Sequence, residues 1–494
     1  MSDDHSPRGY VKDASYPTTY FRELAPVWLN YVAALGSVEP RRLDRNFSYL
    51  ELGSGPGFST IIHAACYPAG EFHACDFNSE SIAMGERYAD DLAIQNVVFH
   101  AASFDELLER NLPDFDFIVL HGVYSWIGTP ARQTIHQLIR KQLKPGGLVY
   151  VGYNCMPGWT LEVPLRRLLI ELTASMSGGD SPQKAADAVR ALKHLGSAGL
   201  KYFQTNPAAM TAIDSYLRSP SNYLAHEFLN ETWEPLYSID VADEMTKAEL
   251  TYLGSATLVD NHEALVIDSA AAVAIADLQT SRLQHLASDF AVDRQFRRDV
   301  FVRTDSRIEK ADVGGYLGEV VVGCSGDPEA INTTVQVPRG QISFQEGFVQ
   351  ELRQLMSQGS TTLMHLVTTL GGESRDSAEI IRNLLYLIAA GELTPFSQSF
   401  QPDKNDSDNR PEFARPEFTN ERIEKMFSHI AGENDAGQIA SEVAGRGVEV
   451  SPRDASAILD HLAANEHGET DPVLEELIPP LRRSGLLVYP RRHT

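Results

Sequence analysis

One short run constrains this chain more than any other: Tyr49-Leu-Glu-Leu-Gly-Ser-Gly-Pro-Gly57. It reads as a buried strand that reaches an acid, Glu51, enters a glycine-rich turn and passes at once into a helix over Phe58–Cys66. Glycines let the backbone bend tightly and approach a ligand where a Cβ would clash. The helix start adds N–H groups with no partner inside the helix. The spacing excludes the dinucleotide fingerprint, whose third glycine would fall on Phe58. What stands here is E-x-G-x-G-x-G, with Glu51, Gly53, Gly55 and Gly57.

The following elements agree. Glu71–Asp76 is a second apolar run ending in an acid, and Asp76 lies 21 residues past Gly55. At the tip of a second strand, a carboxylate at that distance can accept both hydroxyls of a ribose. Phe77 and Asn78 follow, and Asn78 is placed to cap a helix over Ser79–Leu92. A third strand spans Asn96–His100, with Ala102-Ser103-Phe104 in the loop after it. A fourth, Phe115–Leu120, runs into His121-Gly-Val-Tyr-Ser-Trp126. A helix over Pro130–Gln142 and the turn Leu143-Lys-Pro-Gly-Gly147 lead to a fifth strand, Leu148–Tyr153. Strands alternating with helices imply an α/β fold whose parallel sheet binds ligand at its carboxyl edge.

The glycine run resembles motif I of the class I S-adenosylmethionine (SAM) methyltransferases, and the Lys-Pro-Gly-Gly turn is common in that family. His121-Gly-Val-Tyr-Ser-Trp126, Tyr153-Asn-Cys-Met-Pro-Gly-Trp159 and Tyr223-Leu-Ala-His-Glu-Phe-Leu-Asn230 narrow the resemblance. They are similar to bacterial methyltransferases with a methyltransferase regulatory domain, a group that includes the rickettsial outer-membrane-protein lysine methyltransferases. The resemblance covers residues 10–305 and implies a Rossmann-like seven-stranded sheet with SAM as cofactor. It assigns the cofactor to Glu51, Gly53, Ser54, Gly55, Gly57, Asp76, Phe77, Asn78, Ser103, Phe104 and His121. The loops after the fourth and fifth strands would carry the acceptor side: His121, Tyr124, Trp126, Tyr153 and Asn154, with Trp159 beyond. For some members the acceptor is a lysine in a protein.

Each reading has a plainer rival. His121 either binds ligand or only bonds a loop carbonyl. Tyr124 and Trp126 face the site or fill the core. Trp159 is read as a turn residue. His226-Glu227 opens like a zinc helix, but the H-E-x-x-H pattern fails at Asn230, so a capping or core-bridging role is preferred to an active-site one. Tyr10, Tyr16 and Tyr20 either cover the cofactor or pack as ordinary aromatics. The (Asn/Asp)-Pro-Pro-(Tyr/Phe) motif that holds an amide or base nitrogen is missing, which disfavours nucleobase and glutamine acceptors.

Residues 1–46 form an N-terminal helical segment over the cofactor, with a helix at Tyr20–Leu35. Residues 47–159 hold the five strands, and 160–235 are a helical insertion. Residues 236–310 complete the sheet, with strands at Thr251–Leu258 and Arg298–Arg303. A winged-helix-like module is read over 311–400, with helices from Gln341 onward. A polar linker and a C-terminal helical module at 412–494 follow.

The net charge is −25. Such a chain repels phosphate backbones, which leaves a lysine-bearing protein or a small molecule as partner. Solubility is the blander account of the charge. Cys66, Cys75, Cys155 and Cys324 form no C-x-x-C pair and read as buried thiols, with no metal site. The N-terminus lacks a signal-peptide pattern and no run of eighteen apolar residues exists, so a cytoplasmic protein is expected. A homodimer is left open. Besides methyl transfer to a protein lysine, two rivals remain: a small-molecule methyltransferase and a SAM-binding scaffold or sensor without catalysis.

Overall fold

The computed structural model describes residues 20–91, 94–303, 314–324, 328–371 and 376–397, with one backbone pairing between Glu412–Phe413 and Leu487–Val488. A short turn at Arg22–Leu24 leads to α1 (Pro26–Leu35), started by a proline at its first position. Strands and helices then alternate: β1 (Phe47–Leu52), α2 (Phe58–Cys66), β2 (Gly70–Asp76), α3 (Ser79–Asp91), β3 (Val97–Ala101), α4 (Phe104–Glu109), β4 (Phe115–His121), α5 (Thr129–Gln142) and β5 (Leu143–Asn154). Five helices form the insertion: α6 (Glu162–Ala174), α7 (Ser181–Ser197), α8 (Lys201–Thr205), α9 (Pro207–Tyr216) and α10 (Ser221–Leu229). After α11 (Ser238–Lys247) come β6 (Leu250–Ser255) and, past four short helices, β7 (Phe296–Arg303).

The seven strands form one sheet in the order β3-β2-β1-β4-β5-β7-β6. β7 lies antiparallel between β5 and β6, and the pairs from β3 to β5 are parallel. The seven-stranded α/β sheet is thus as expected. Alternation along the strands sorts the apolar side chains into two cores. Phe47, Tyr49, Phe117, Val119, Leu148 and Tyr150 enter one. Leu50, Leu52, Ile118, Leu120, Val149, Val151 and Tyr153 enter the other. The insertion has its own core, built on Leu165, Leu169, Val189, Leu192, Phe203, Ile213, Leu224 and Phe228.

Several boundaries differ from the sequence reading: the helix expected from Tyr20 begins at Pro26, and β7 begins at Phe296 and not at Arg298. β5 begins at Leu143, because the Lys-Pro-Gly-Gly turn is absorbed as an irregularity in the pairing with β4. β6 stops at Ser255, where the Asn261 side chain accepts from Ser255 N and donates to Ser255 O, each at 2.8 Å. Those bonds turn the chain into a short helix at Leu258–Asn261. Gln341 is not helical: Thr334–Val337 and Gly340–Ser343 form a hairpin. Its first strand alternates exposed and buried residues, the period of a half-buried strand. Helices Glu346–Met356, Leu363–Gly371 and Ser377–Ala389 follow, and Leu393–Phe396 pairs with Val321–Cys324. This part packs into the same apolar cluster as α1. The expected helices of 412–494 lie outside the described residues. The four cysteines form no disulfide, and three of them are buried.

A buried ion network fastens β7 to the core. Arg297 donates to Asp299 at 2.9 Å and to Asp289 at 2.5 Å, and Tyr153 donates to Asp299 at 2.6 Å. Both carboxylates are 1% exposed. Arg297→Met would leave two anions buried without their cation. We expect a loss of about 3–5 kcal/mol in stability, read as a lower midpoint in chemical denaturation.

Candidate active site

The glycine turn is built as the spacing requires. Gly53, Gly55 and Gly57 have φ of 69°, 55° and 68°, the left-handed region. A Cβ on Gly53 would sit 2.3 Å from Val123 Cγ2, so glycine is needed there for contact with the loop after β4. A Cβ on Gly55 would meet no protein atom within 4 Å; the turn presents bare backbone on that side. Gly53 N and Ser54 N donate to Cys75 O at 2.8 and 3.0 Å, which fixes the turn to the end of β2. The Ser54 hydroxyl donates to Gly55 O at 3.2 Å.

Asp76 completes this frame. Its carboxylate accepts from Gly55 N at 2.9 Å and from Asn78 N at 2.8 Å. Burial raises its pKa, and those two N–H groups oppose the rise. Each oxygen keeps lone pairs for a diol. Asn78 caps α3, its Oδ1 accepting from Glu80 N at 3.0 Å, and Phe77 lies in the same partly exposed turn. Glu51 is buried and accepts from the Thr60 hydroxyl on α2. Burial pushes its carboxyl up to about 7, against the pull of Thr60, with Asp76 adding to the rise. Two carboxylates and exposed backbone suit a ligand with a sugar diol and a positive charge, which is the chemistry of SAM.

His121 ends β4 opposite Gly152, on the face that carries Tyr150. Its Nδ1 shares a 2.7 Å hydrogen bond with the Tyr150 hydroxyl. The Phe21 ring packs against it, tilted by 36°, at 3.9 Å between centroids, and Phe296 lies at 5.4 Å. Burial, helped by Arg298, lowers its pKa to about 3. A group this weak does not deprotonate an ammonium, so His121 is a neutral wall here and not a general base. Phe21 N donates to the Ser59 hydroxyl at 3.1 Å, which holds the N-terminal segment against α2 beside the turn. The sequence offered no sign of this role, because Phe21 reads there as one apolar position of a helix. Tyr20 is 2% exposed and faces His63 from the core; Tyr10 and Tyr16 lie outside the described residues.

Several expected residues are placed elsewhere. Tyr124 is fully buried, and its hydroxyl bonds His136 Nε2 at 2.7 Å and the Glu244 carboxylate. It braces α5 and α11 and does not reach the cleft. Tyr153 is also fully buried, because its parity on β5 turns it to the second core and to Asp299. Ser103 closes a capping box with Glu106 at the start of α4, so its hydroxyl is occupied by the helix; Phe104 packs against the second core beside it.

Asn154 and Trp126 do come together with the insertion. Asn154 N donates to the Ser125 hydroxyl at 2.9 Å, and Asn154 O accepts from Leu236 N at 2.9 Å. Trp126 lies 6.5 Å from Trp233, which meets Trp159 edge-on at 5.2 Å. Trp159 is more than a turn residue, since its Nε1 donates to Gln295 O at 2.8 Å. Trp233 carries no motif of its own in the sequence; its place beside Trp126 follows from the return of the chain through Leu236.

Comparisons with known proteins agree with this geometry. The family described as "Methyltransferase domain" matches residues 43–190, and "Predicted methyltransferase regulatory domain" matches residues 220–303. The protein sll1526 of Synechocystis is 34% identical over 360 residues, 72% of this chain and 71% of that protein. RP789 of Rickettsia prowazekii is 26% identical over 313 residues, 62% of this chain and 54% of its own length. Among solved structures, PKMT2 from Rickettsia typhi in complex with AdoHcy shares the fold, with TM-score 0.69 and 18% identity over 96% of this chain and all of that one.

Two outcomes test the turn. Gly53→Ala places a side chain in a left-handed conformation and against Val123. It should weaken S-adenosylhomocysteine binding at least tenfold in calorimetry, about 1.4 kcal/mol or more. A ligand with a positive charge prefers ionised Glu51. Affinity for SAM, whose sulfonium is positive, should therefore rise about tenfold from pH 6 to pH 8, through a pKa near 7, and Glu51→Gln should flatten that rise.

Proposed function

This chain belongs to the SAM-dependent methyltransferases that carry a methyltransferase regulatory domain, and on that premise we propose that it methylates a nitrogen, with the lysine side chain of a protein as acceptor. The observation that carries the reading is the frame of Asp76, Gly55 and Asn78 around the left-handed turn. When bound, SAM supplies a methyl group on a sulfonium, which passes to a nucleophile by in-line displacement and leaves S-adenosylhomocysteine.

The residues of the chain hold, orient and exclude. Asp76 would accept the ribose hydroxyls, the Gly53–Gly55 backbone would lie against the methionine half, and Glu51 would offset its positive charge. Phe21, His121 and Phe296 form an apolar wall beside the turn. Such a wall keeps water from the reacting atoms. A lysine ammonium must lose its proton first, which costs about 4–5 kcal/mol at pH 7 in water. Desolvation among Trp126, Trp159 and Trp233 lowers that cost, and their faces attract cations. The acidic balance of the chain favours a basic protein surface. The Rickettsia typhi structure was solved with AdoHcy, which supports the same cofactor site here.

The test has two arms. S-adenosylhomocysteine should bind the purified chain in calorimetry, and the double variant Asp76→Ala, Gly53→Val should show no binding heat. With radiolabelled SAM and a cell lysate, label should appear in protein bands. Label only in the filtrate would replace the lysine acceptor with a small molecule. SAM binding with no label transferred to any fraction would favour a sensor.

A further inference from the structure

At the mouth of the insertion, three buried polar groups face one another: Glu227 Oε1 on α10, Asn154 Nδ2 at the end of β5 and Trp233 Nε1 in the return segment; the two N–H groups are aimed at the carboxylate, but neither completes a well-formed hydrogen bond to it. They belong to three different elements, which converge on the Glu227 carboxylate. Buried polar atoms are nearly always paired, because leaving them unpaired is costly. Asn154, Trp233 and Tyr223 nonetheless all favour the charged form of Glu227. The cluster is reachable: Glu227, Trp126, Trp159 and Trp233 are each partly exposed, and Tyr223 stands exposed beside them. It also adjoins the turn. Gly53 touches Val123, Trp126 lies three residues beyond, and Glu234 N donates to Ser125 O at 2.8 Å.

We propose that Glu227, with Asn154 and the Trp126–Trp233 pair, forms the acceptor pocket and that its carboxylate binds the ammonium of a primary alkyl amine and takes its proton. The proposal rests on the reading of the chain as a nitrogen methyltransferase and names the residue that reading lacks. Proton transfer from R–NH3+ leaves a neutral amine, whose lone pair is then free to attack, and a protonated Glu227. Apolar indole surface favours the neutral amine, and burial raises the Glu227 carboxyl to about 7, closer to an amine than an ordinary glutamate.

The simpler account, a structural ion pair with Arg166, does not fit. Arg166 attracts the carboxylate but forms no ion pair with it. Its guanidinium donates to Asn230 O and lies 4.9 Å from the Trp233 ring. The other titratable groups around the pocket are Glu162 on α6, Tyr216 on α9, and Tyr223 and His226 on α10. Tyr216 is neutral near pH 7, because burial raises its pKa.

The experiment titrates n-butylammonium chloride into the full chain saturated with S-adenosylhomocysteine and follows tryptophan emission. Wild type should bind, n-butanol should bind at least tenfold more weakly, and Glu227→Gln should lose at least tenfold for butylammonium. Affinity for S-adenosylhomocysteine and the thermal midpoint of the variant should match wild type. A variant that keeps butylammonium affinity within twofold overturns the proposal. Should the variant fail to fold, wild type still decides. Its butylammonium affinity should rise as pH climbs through about 7, because Glu227 ionises there while the ligand stays charged, and a flat profile overturns the pocket. Failure of wild type to bind S-adenosylhomocysteine would overturn the methyltransferase reading beneath it. Cofactor binding without butylammonium binding would overturn this inference alone.

Discussion

Pleat parity is the constraint on which the rest of this structure depends. The central strands are covered on both faces, so each successive residue enters a different core. That rule decides more than packing. It turns Tyr150 toward His121 and Tyr153 toward Asp299, although the two tyrosines stand three positions apart on one strand. A slip of one residue would exchange the wall of the cleft for the anchor of the core.

The cleft is assembled from contacts distant in the chain. The glycine turn is held from one side by Cys75 O and Asp76, and from the other by Val123. Phe21 closes it through Ser59 and His121. Beyond Trp126, the proposed acceptor side depends on the return of the insertion, where Leu236 bonds back to Asn154 and Met156. A helical insertion with its own core thereby reaches the proposed site without adding a strand to the sheet.

Electrostatics separates the roles. Glu51 and Asp76 are raised by burial, yet each is bonded to neighbouring donors that stabilise its charge. His121 is driven the other way and stays neutral. Glu227 is raised by burial too, and the side chains of Asn154, Trp233 and Tyr223 favour its charged form. The same burial that makes a carboxylate costly in an apolar site makes it useful toward a positively charged ligand.

The sequence by itself determined the first five strands, the turn, the acid at the tip of β2 and the cap at Asn78, because each is encoded locally by spacing, glycine and apolar runs. Helix α2 was legible to its ends. Strand ends at Leu143 and Ser255 were not, since a register irregularity and a side-chain clamp from Asn261 set them. Only the tertiary structure decided which aromatic residues reach the cleft. Tyr124 and Trp126 share one motif and part company, one into the core against His136 and Glu244, the other beside Trp233. The physical reason is that motif and spacing specify where a backbone turns, whereas the direction of a side chain after the turn depends on partners more than a hundred residues away.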